Sequence, residues 1–141
     1  VFLFTQDGKI LVQKRSVDRA ASPSMLDCSV SEHIKAGESY LDAAMRGMKE
    51  EMGVDGIEIK LLVKFQMNYG INDNEISTLY EGIVDPSKVK FDPVEIEQIA
   101  YYSLDEIKRM MNDESIFCGW FVQIMNWHLG NPAKLTVLKV Y

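Results

Sequence analysis

The sequence predicts an α/β or α+β fold in which helices pack against a central mixed β-sheet. Short segments of strand-like alternation recur along the chain between turn residues. Three segments place apolar residues at helical spacing, and they are interleaved with the strands. The 141 residues suffice for a single domain, in which about 68–70% of the unfolded surface is buried. A composition of 47% hydrophobic and 26% charged residues suits such a domain.

The first predicted element is a hairpin. The segments VFLF (1–4) and KILVQKR (9–15) flank the turn signal Asp7-Gly8. The sequence ASPS then breaks the chain, and MLDCSVS (25–31) alternates well enough to predict a strand.

A helix is predicted next, after the turn KAGES (35–39). Ser39 is the candidate N-cap, with Asp42 three residues later, and Gly53 ends the helix in the usual C-terminal way. One apolar face is predicted from the spacing of Leu41, Ala44, Met45, Met48 and Met52.

The middle of the chain predicts two strands and two loops. GIEIKLLVKFQM (56–67) and EISTLYEGIV (75–84) are strand-like, and NYGINDN (68–74) is predicted as the loop between them. DPSKVKFDPVE (85–95) contains two prolines and is predicted as a second loop.

The last third begins with a predicted strand, IEQIAYYS (96–103). Ser103 and Glu106 form a capping box that opens the short helix SLDEIKRMMN. A second apolar helix is predicted over 115–129, where Gly130-Asn131-Pro132 follows. The tail KLTVLKVY (134–141) is compatible with a strand or with a partly loose segment.

The charge and cysteine content narrow the function classes. A net charge of −6 argues against nonspecific nucleic-acid binding, and an anionic substrate would need local basic residues or a divalent cation. Cys28 and Cys118 lie far apart, so neither a disulfide scaffold nor a zinc cluster with His33 and His128 is predicted. No apolar run approaches the roughly 20 residues of a membrane span. We expect a cytoplasmic protein without a signal peptide, and a chain that is incomplete at its N-terminus.

The segment EHIKAGESYLDAAMRGMKEEMGV (32–54) resembles the Nudix box. That box runs glycine, five residues, glutamate, seven residues, arginine-glutamate, an aliphatic residue, any residue, two glutamates, any residue, glycine and an aliphatic residue. Two positions depart, because Glu32 replaces the leading glycine and Gly47 replaces the glutamate after the arginine. The resemblance implies a single Nudix domain over residues 1–141, with an α/β/α sandwich around a mixed sheet. The matching positions are Glu38, Arg46, Met48, Glu50, Glu51, Gly53 and Val54.

The charged residues of the box suggest a metal site. Glu50 lies one helical turn after Arg46, so the two side chains can pair. Adjacent carboxylates repel unless a cation neutralises them, and Mg²⁺ prefers hard oxygen ligands. The resemblance implies that Glu50 and Glu51 hold metal for attack on a diphosphate, while Glu38 and Arg46 orient the loop and the helix. Without the resemblance, paired glutamates on a helix are usually a solvated face. Gly47 supplies no ligand and costs the helix about 1 kcal/mol relative to alanine.

A second resemblance extends along nearly the whole chain. The order of FLFTQDGKILVQKRS, CSVSEHIKAGES, NDNEISTLYEG and IFCGWF resembles that of the Nudix-fold isopentenyl diphosphate isomerases. It implies that His33 is a metal ligand. It also implies an acidic position at Glu75, with Asp73 as a further candidate, and diphosphate binding by Arg15 and Arg19.

The catalytic thiol of the isomerases has no counterpart at the matching position of this sequence. Ser31 occupies the position of the catalytic cysteine, and a hydroxyl is a far poorer proton donor than a thiol of pKa near 8.5. Cys28 lies three residues earlier, so strand alternation predicts that it points to the opposite face from Ser31.

Several other side chains have two interpretations. Read alone, His33 is a satisfied strand histidine and Glu75 an exposed edge carboxylate. Glu95 or Glu97 could act as a general base, although loop acids are usually solvated. Trp120, with Phe117 and Phe121, forms either core packing or a wall for an apolar or base-like part of a substrate.

Three functional hypotheses follow. The favoured one is a hydrolase, dependent on Mg²⁺ or Mn²⁺, of a diphosphate linked to an organic group. Arg15 and Arg19 would then hold phosphate, Glu50 and Glu51 would hold metal, and His33 and Glu75 would complete or flank the site. The second is a Nudix fold that binds a diphosphate metabolite without cleaving it, as the loss at Gly47 suggests. The third, isomerase chemistry, is disfavoured by Ser31. The partner is expected to be a small molecule rather than nucleic acid or membrane, and a homodimer is possible.

Overall fold

A seven-stranded mixed sheet forms the centre of the protein, and the computed structural model describes all residues from 1 to 141. The strands, in chain order, are β1 (Phe2–Phe4), β2 (Ile10–Arg15), β3 (Leu26–Asp27), β4 (Ile59–Gly70), β5 (Asp73–Ile83), β6 (Ile96–Tyr102) and β7 (Thr136–Val140). The helices are α1 (Tyr40–Met52), α2 (Leu104–Met110) and α3 (Gly119–His128). None of the three helices combines the length and apolar character needed to cross a membrane.

The sheet is mixed because β1 joins β5 in parallel, whereas every other neighbouring pair is antiparallel. The strand order is β3-β2-β1-β5-β4-β7, and β6 pairs with β2 as well. Two hairpins supply much of this order: β1 turns into β2, and the long β4 turns into β5.

Alternation along the central strands divides the core into two layers. Successive side chains of a strand point to opposite faces of the sheet. Phe2 and Ile10 pack in one apolar cluster with Phe121 of α3. Leu3 and Leu11 pack in a second cluster with Met48 of α1. Helices therefore cover both faces, and the predicted α/β/α sandwich around a mixed sheet is confirmed.

Local capping chemistry sets the ends of the helices as predicted. The Ser39 side chain accepts a hydrogen bond from the backbone N–H of Asp42, at 3.0 Å. Gly53 ends α1 with φ of 64°, in the left-handed region that glycine adopts without strain. The capping box of Ser103 and Glu106 opens α2.

The strand predicted over 25–31 is much shorter in the structure, where only Leu26–Asp27 is strand. Beyond that point Val30 still exchanges main-chain hydrogen bonds with Val1, and side chains supply other hydrogen bonds of the segment. Ser29 Oγ donates to the carbonyl of Leu11 and accepts from the N–H of Leu3, and Asp27 Oδ1 accepts from the N–H of Cys28. Because these polar side chains pair with backbone groups, the segment follows the sheet without joining its ladder.

The loop predicted over 68–74 is mostly strand. β4 continues to Gly70 and β5 starts at Asp73, so only Ile71 and Asn72 form the turn. Asn72 has φ of 56°, a conformation that asparagine tolerates better than most residues.

The last helix begins at Gly119 rather than near residue 115, because Glu114–Ile116 forms a separate 3₁₀ turn. The N–H of Cys118 donates to the carbonyl of Leu26, which ties the start of α3 to β3. The tail, for which a strand or a loose segment was expected, forms a strand, since β7 pairs with β4.

Candidate active site

An open cleft of about 1010 Å³ lies where the loop before α1, the end of α1 and strand β5 meet. It contains side chains from distant parts of the sequence. Predicted site residues that line it are Arg15, Arg19, His33, Glu50, Glu51, Glu75 and Trp120. The fold therefore brings all the predicted metal and substrate residues to one cleft.

The loop before α1 is fixed to the helix by Arg46. Its guanidinium donates to both carboxylate oxygens of Glu38, at 2.6 and 3.1 Å, and to the carbonyl of His33 at 2.8 Å. The N–H of Lys35 also donates to Glu38. Hydrogen bonds from Arg46, and then from Lys35, lower the pKa of Glu38 to about 2. Two-point pairing of this kind fixes orientation as well as charge. Arg46 and Glu38 thus hold the loop against the helix, and neither lines the cleft.

Glu50 and Glu51 differ sharply in their surroundings. The Glu50 side chain is 55% exposed, and one of its oxygens lies 3.3 Å from Arg46 Nη1. Glu51 faces the sheet, where Oε1 accepts from Gln13 Nε2 at 2.9 Å and from the N–H of Ser31 at 3.4 Å. Glu50 thus points toward solvent and Glu51 toward the sheet, and both line the cleft.

The second carboxylate oxygen of Glu51 has no hydrogen-bond partner although it is buried. Burial raises the pKa of Glu51 to about 7, against the hydrogen bonds from Gln13 and Ser31, which lower it. A buried acceptor without a partner is costly, and a cation would relieve that cost. In this respect the residues fit Mg²⁺ or Mn²⁺, which bind carboxylate oxygens. In the present side-chain positions, no group of three or more His, Cys, Asp or Glu residues is spaced to hold an ion.

His33 and Glu75 lie next to each other in the cleft. The atoms His33 Nε2 and Glu75 Oε1 are 3.5 Å apart, and the histidine side chain is 88% exposed. Burial, and then Asp73, raise the pKa of Glu75. The structure therefore brings these two predicted ligands together, with Asp73 beside them at the start of β5.

The two predicted phosphate-binding arginines have different environments. Arg15 is only 6% exposed, and it donates to Asp27 Oδ2 at 3.0 Å and to the carbonyl of Ala21. Arg19 lies at the rim of the cleft, 2.6 Å from Glu95 in an ion pair that water reaches. Arg19 is thus the more accessible of the two cations, and Arg15 neutralises a buried carboxylate.

The aromatic residues divide between core and cleft. Phe117 and Phe121 are buried and stacked, with ring centroids 4.9 Å apart. Trp120 lines the cleft, 6.3 Å from the ring of Tyr69, and its Nε1 donates to Asp27 at 2.7 Å. The core interpretation therefore holds for the phenylalanines. Trp120 packs against the same core and lines the cleft, and its contact with a substrate stays a prediction.

The two candidate general bases are also separated. Glu95 lines the cleft beside Arg19, whereas Glu97 pairs with Lys14 at 3.1 Å and does not line it. The structure thus leaves Glu95 as the candidate of the pair that reaches the site.

The expected placement of Cys28 is wrong. Strand alternation predicted opposite faces for Cys28 and Ser31, yet both residues line the cleft. The reason is that residues 28–31 do not form a strand, so the two-residue period does not apply. Cys28 is buried, and burial followed by the charge of Asp27 raises the pKa of its thiol.

Two polar residues of the site were absent from the sequence prediction. Gln13 donates to Glu51, and Asp27 collects hydrogen bonds from Arg15, Ser31 and Trp120. Both are buried in strands, at 1% and 0% exposure. A polar residue inside an otherwise apolar strand segment such as ILVQKR is the sequence signal that would have found Gln13.

Comparisons with known proteins agree with this architecture. A model of the NUDIX domain matches residues 1–118. The isopentenyl-diphosphate Delta-isomerase of Pectobacterium atrosepticum is 30% identical over 125 residues, which cover 86% of this chain and 69% of that protein. An uncharacterised Nudix hydrolase of Streptomyces coelicolor is 31% identical over 109 residues, which cover 72% of this chain and 56% of that protein.

A similar fold is found in a Deinococcus radiodurans protein whose crystal structure was determined at 1.9 Å. The TM-score is 0.78 at 21% identity, with 89% of this chain and 78% of that chain covered. At this identity the likeness concerns the fold alone. Together with the domain match over residues 1–118, these findings show that the chain belongs to the Nudix family.

Proposed function

We propose that the chain is a hydrolase, dependent on Mg²⁺ or Mn²⁺, of a diphosphate linked to an organic group. The observation that carries the proposal is the buried oxygen of Glu51 that has no hydrogen-bond partner and lines a cleft with Glu50. Family membership supports hydrolysis of a small diphosphate compound as the general reaction.

Glu50 and Glu51 would hold the cation, and His33 and Glu75 would complete or flank its site. When bound, the ion would polarise a phosphoryl oxygen and lower the pKa of a water molecule. Gln13 and the N–H of Ser31 hold one oxygen of Glu51, so the other oxygen stays directed away from them. Arg46 and Glu38 hold the loop against the helix, which keeps His33 of the loop close to Glu50 and Glu51 of the helix.

Substrate binding falls to the other side of the cleft. Arg19 is the accessible cation for a phosphate group, and an anionic substrate would compete with Glu95 for it. Trp120 and Tyr69 offer an aromatic surface to an apolar or base-like group. We retain Arg15 as a predicted phosphate contact, although its guanidinium is paired with Asp27.

The test is product formation. The protein is incubated with nucleoside diphosphate and isoprenoid diphosphate compounds plus Mg²⁺, and released phosphate or monophosphate is measured. We expect turnover of at least one compound, a large loss in Glu51→Gln, and no loss in Glu58→Gln, which changes an exposed acid on another surface. Failure of every compound, together with unchanged metal binding in Glu51→Gln, would overturn the proposal.

Two alternatives have observations of their own. Isomerase chemistry is favoured by the 30% identical relative of that name and by the position of Cys28 in the cleft. Double-bond migration in isopentenyl diphosphate, followed by NMR, decides it, and the raised pKa of the Cys28 thiol leads us to expect none. Binding without turnover is favoured by the missing acid at Gly47, and calorimetric binding with no product would identify it.

A further inference from the structure

The two departures from the Nudix box meet in space. Gly47 lies in the middle of α1 and is buried, and Glu32 lies in the loop before that helix. They are fifteen positions apart in sequence. A carbon atom added to Gly47 as Cβ would lie only 3.1 Å from Glu32 Cβ. The side chain of Glu32 therefore starts next to the point where a side chain at position 47 would start.

A side chain at position 47 would not fit unless Val30 and Glu32 both moved. The same added Cβ would be 2.9 Å from Val30 Cγ1, and Val30 is only 1% exposed. Val30 is β-branched and packed in the core, so it cannot turn aside as a flexible side chain would. This close approach also explains a glycine that otherwise only weakens the helix.

The carboxylate of Glu32 reaches the charged groups of the box. Its Oε2 lies 3.3 Å from Arg46 Nη1, the same nitrogen that Glu50 Oε2 approaches at 3.3 Å. Its Oε1 accepts from the N–H of His33 at 3.1 Å. Glu32 lines the cleft. Its negative charge adds to the effect of burial in raising the pKa of Glu51.

Glu51 also lies beside Gly47. Its buried, unpartnered Oε2 lies 3.4 Å from the position of the Cβ that Gly47 lacks. A side chain at position 47 would thus contact both Glu32 and the unpartnered oxygen of Glu51.

We propose that Glu32 supplies from the loop the carboxylate that position 47 would otherwise supply from the helix. The two departures then compensate each other, and the chain keeps three acids around the cation: Glu32, Glu50 and Glu51. This inference rests on the proposed metal-dependent function. It assigns to the cation site a residue that stands where the box pattern has a glycine.

Metal affinity tests it without any substrate. Mn²⁺ binding is measured by electron paramagnetic resonance for the wild type, Glu32→Gln and the control Glu58→Gln. We expect the dissociation constant to rise about tenfold or more in Glu32→Gln and to stay unchanged in the control. An unchanged constant in Glu32→Gln, beside normal wild-type binding, would overturn the inference and leave the proposed function standing. A wild type that neither binds Mn²⁺ nor hydrolyses any compound would overturn both.

Thermal unfolding tests the spatial exchange by a double-mutant cycle. Gly47→Glu should lower the melting temperature by several degrees, because its side chain meets Glu32 and Val30. The double variant Glu32→Gly, Gly47→Glu should recover part of that loss, because the contact with Glu32 is removed while that with Val30 remains. It should also bind Mn²⁺ more tightly than Glu32→Gln. Strictly additive melting temperatures, or no recovery of Mn²⁺ binding, would contradict the exchange.

Discussion

Replacing Glu51 by glutamine should stabilise the metal-free protein at about pH 8. Burial raises the pKa of this acid from an ordinary 4.5 to about 7, so the folded state binds more protons than the unfolded state between these values. Stability is therefore lost as the pH rises from about 4.5 to about 7. The difference corresponds to roughly 3 kcal/mol of unfavourable ionisation above that range.

The net gain should be smaller, about 1–2 kcal/mol, because the new amide N–H₂ would occupy the buried position that has no partner. The Gln13 contact should persist, since an amide oxygen also accepts a hydrogen bond.

Urea unfolding in the presence of a chelator measures the effect, with wild type, Glu51→Gln and Glu58→Gln compared at about pH 5 and pH 8. The gain should be present at pH 8 and small at pH 5, where the wild-type carboxyl is largely protonated. A variant that is no more stable than wild type at pH 8, or a gain of equal size at both pH values, would show that ionisation of the buried Glu51 does not destabilise the folded state.

Three further predictions concern the surroundings of the site. Arg15→Ala should cost about 3–5 kcal/mol of unfolding free energy, because it leaves the buried Asp27 without its partner. Arg19→Ala breaks an exposed pair and should change the unfolding free energy by less than about 1 kcal/mol. Urea unfolding of both variants measures the difference. Arg46→Ala should lower the melting temperature and speed amide exchange in the loop that Glu38 anchors, and unchanged exchange would contradict that role. Both cysteines are buried with raised pKa values, so a thiol reagent at about pH 8 should label them only after unfolding; rapid labelling of the folded protein would count against their burial.

Local chemistry made much of the fold predictable. Ser39 and Gly53 were identified as the ends of α1 because capping needs particular residue types at particular positions. The Asp7-Gly8 turn and the alternation of the central strands were predictable because they also depend on residue types at neighbouring positions. The spacing of the box also placed Glu50 beside Arg46, one turn away on a helix.

Features that depend on contacts between distant segments were not predictable. Residues 28–31 alternate like a strand, but the hydrogen bonds of Ser29 with Leu3 and Leu11 draw them out of the ladder. Asn72 allowed a two-residue turn where a longer loop was expected. The sequence pattern likewise treats Glu32 and Gly47 as two separate losses, because only the packing of the loop on α1 brings them together.

We propose that this cleft holds a divalent cation against a diphosphate. A crystal structure of the protein with Mn²⁺ and a methylene-bridged, nonhydrolysable diphosphate tests it most directly. We expect an anomalous manganese peak in contact with Glu51 Oε2 and with oxygen atoms of the diphosphate, beside Glu32 and Glu50. A diphosphate bound without manganese at Glu51, or manganese bound only elsewhere, would contradict it.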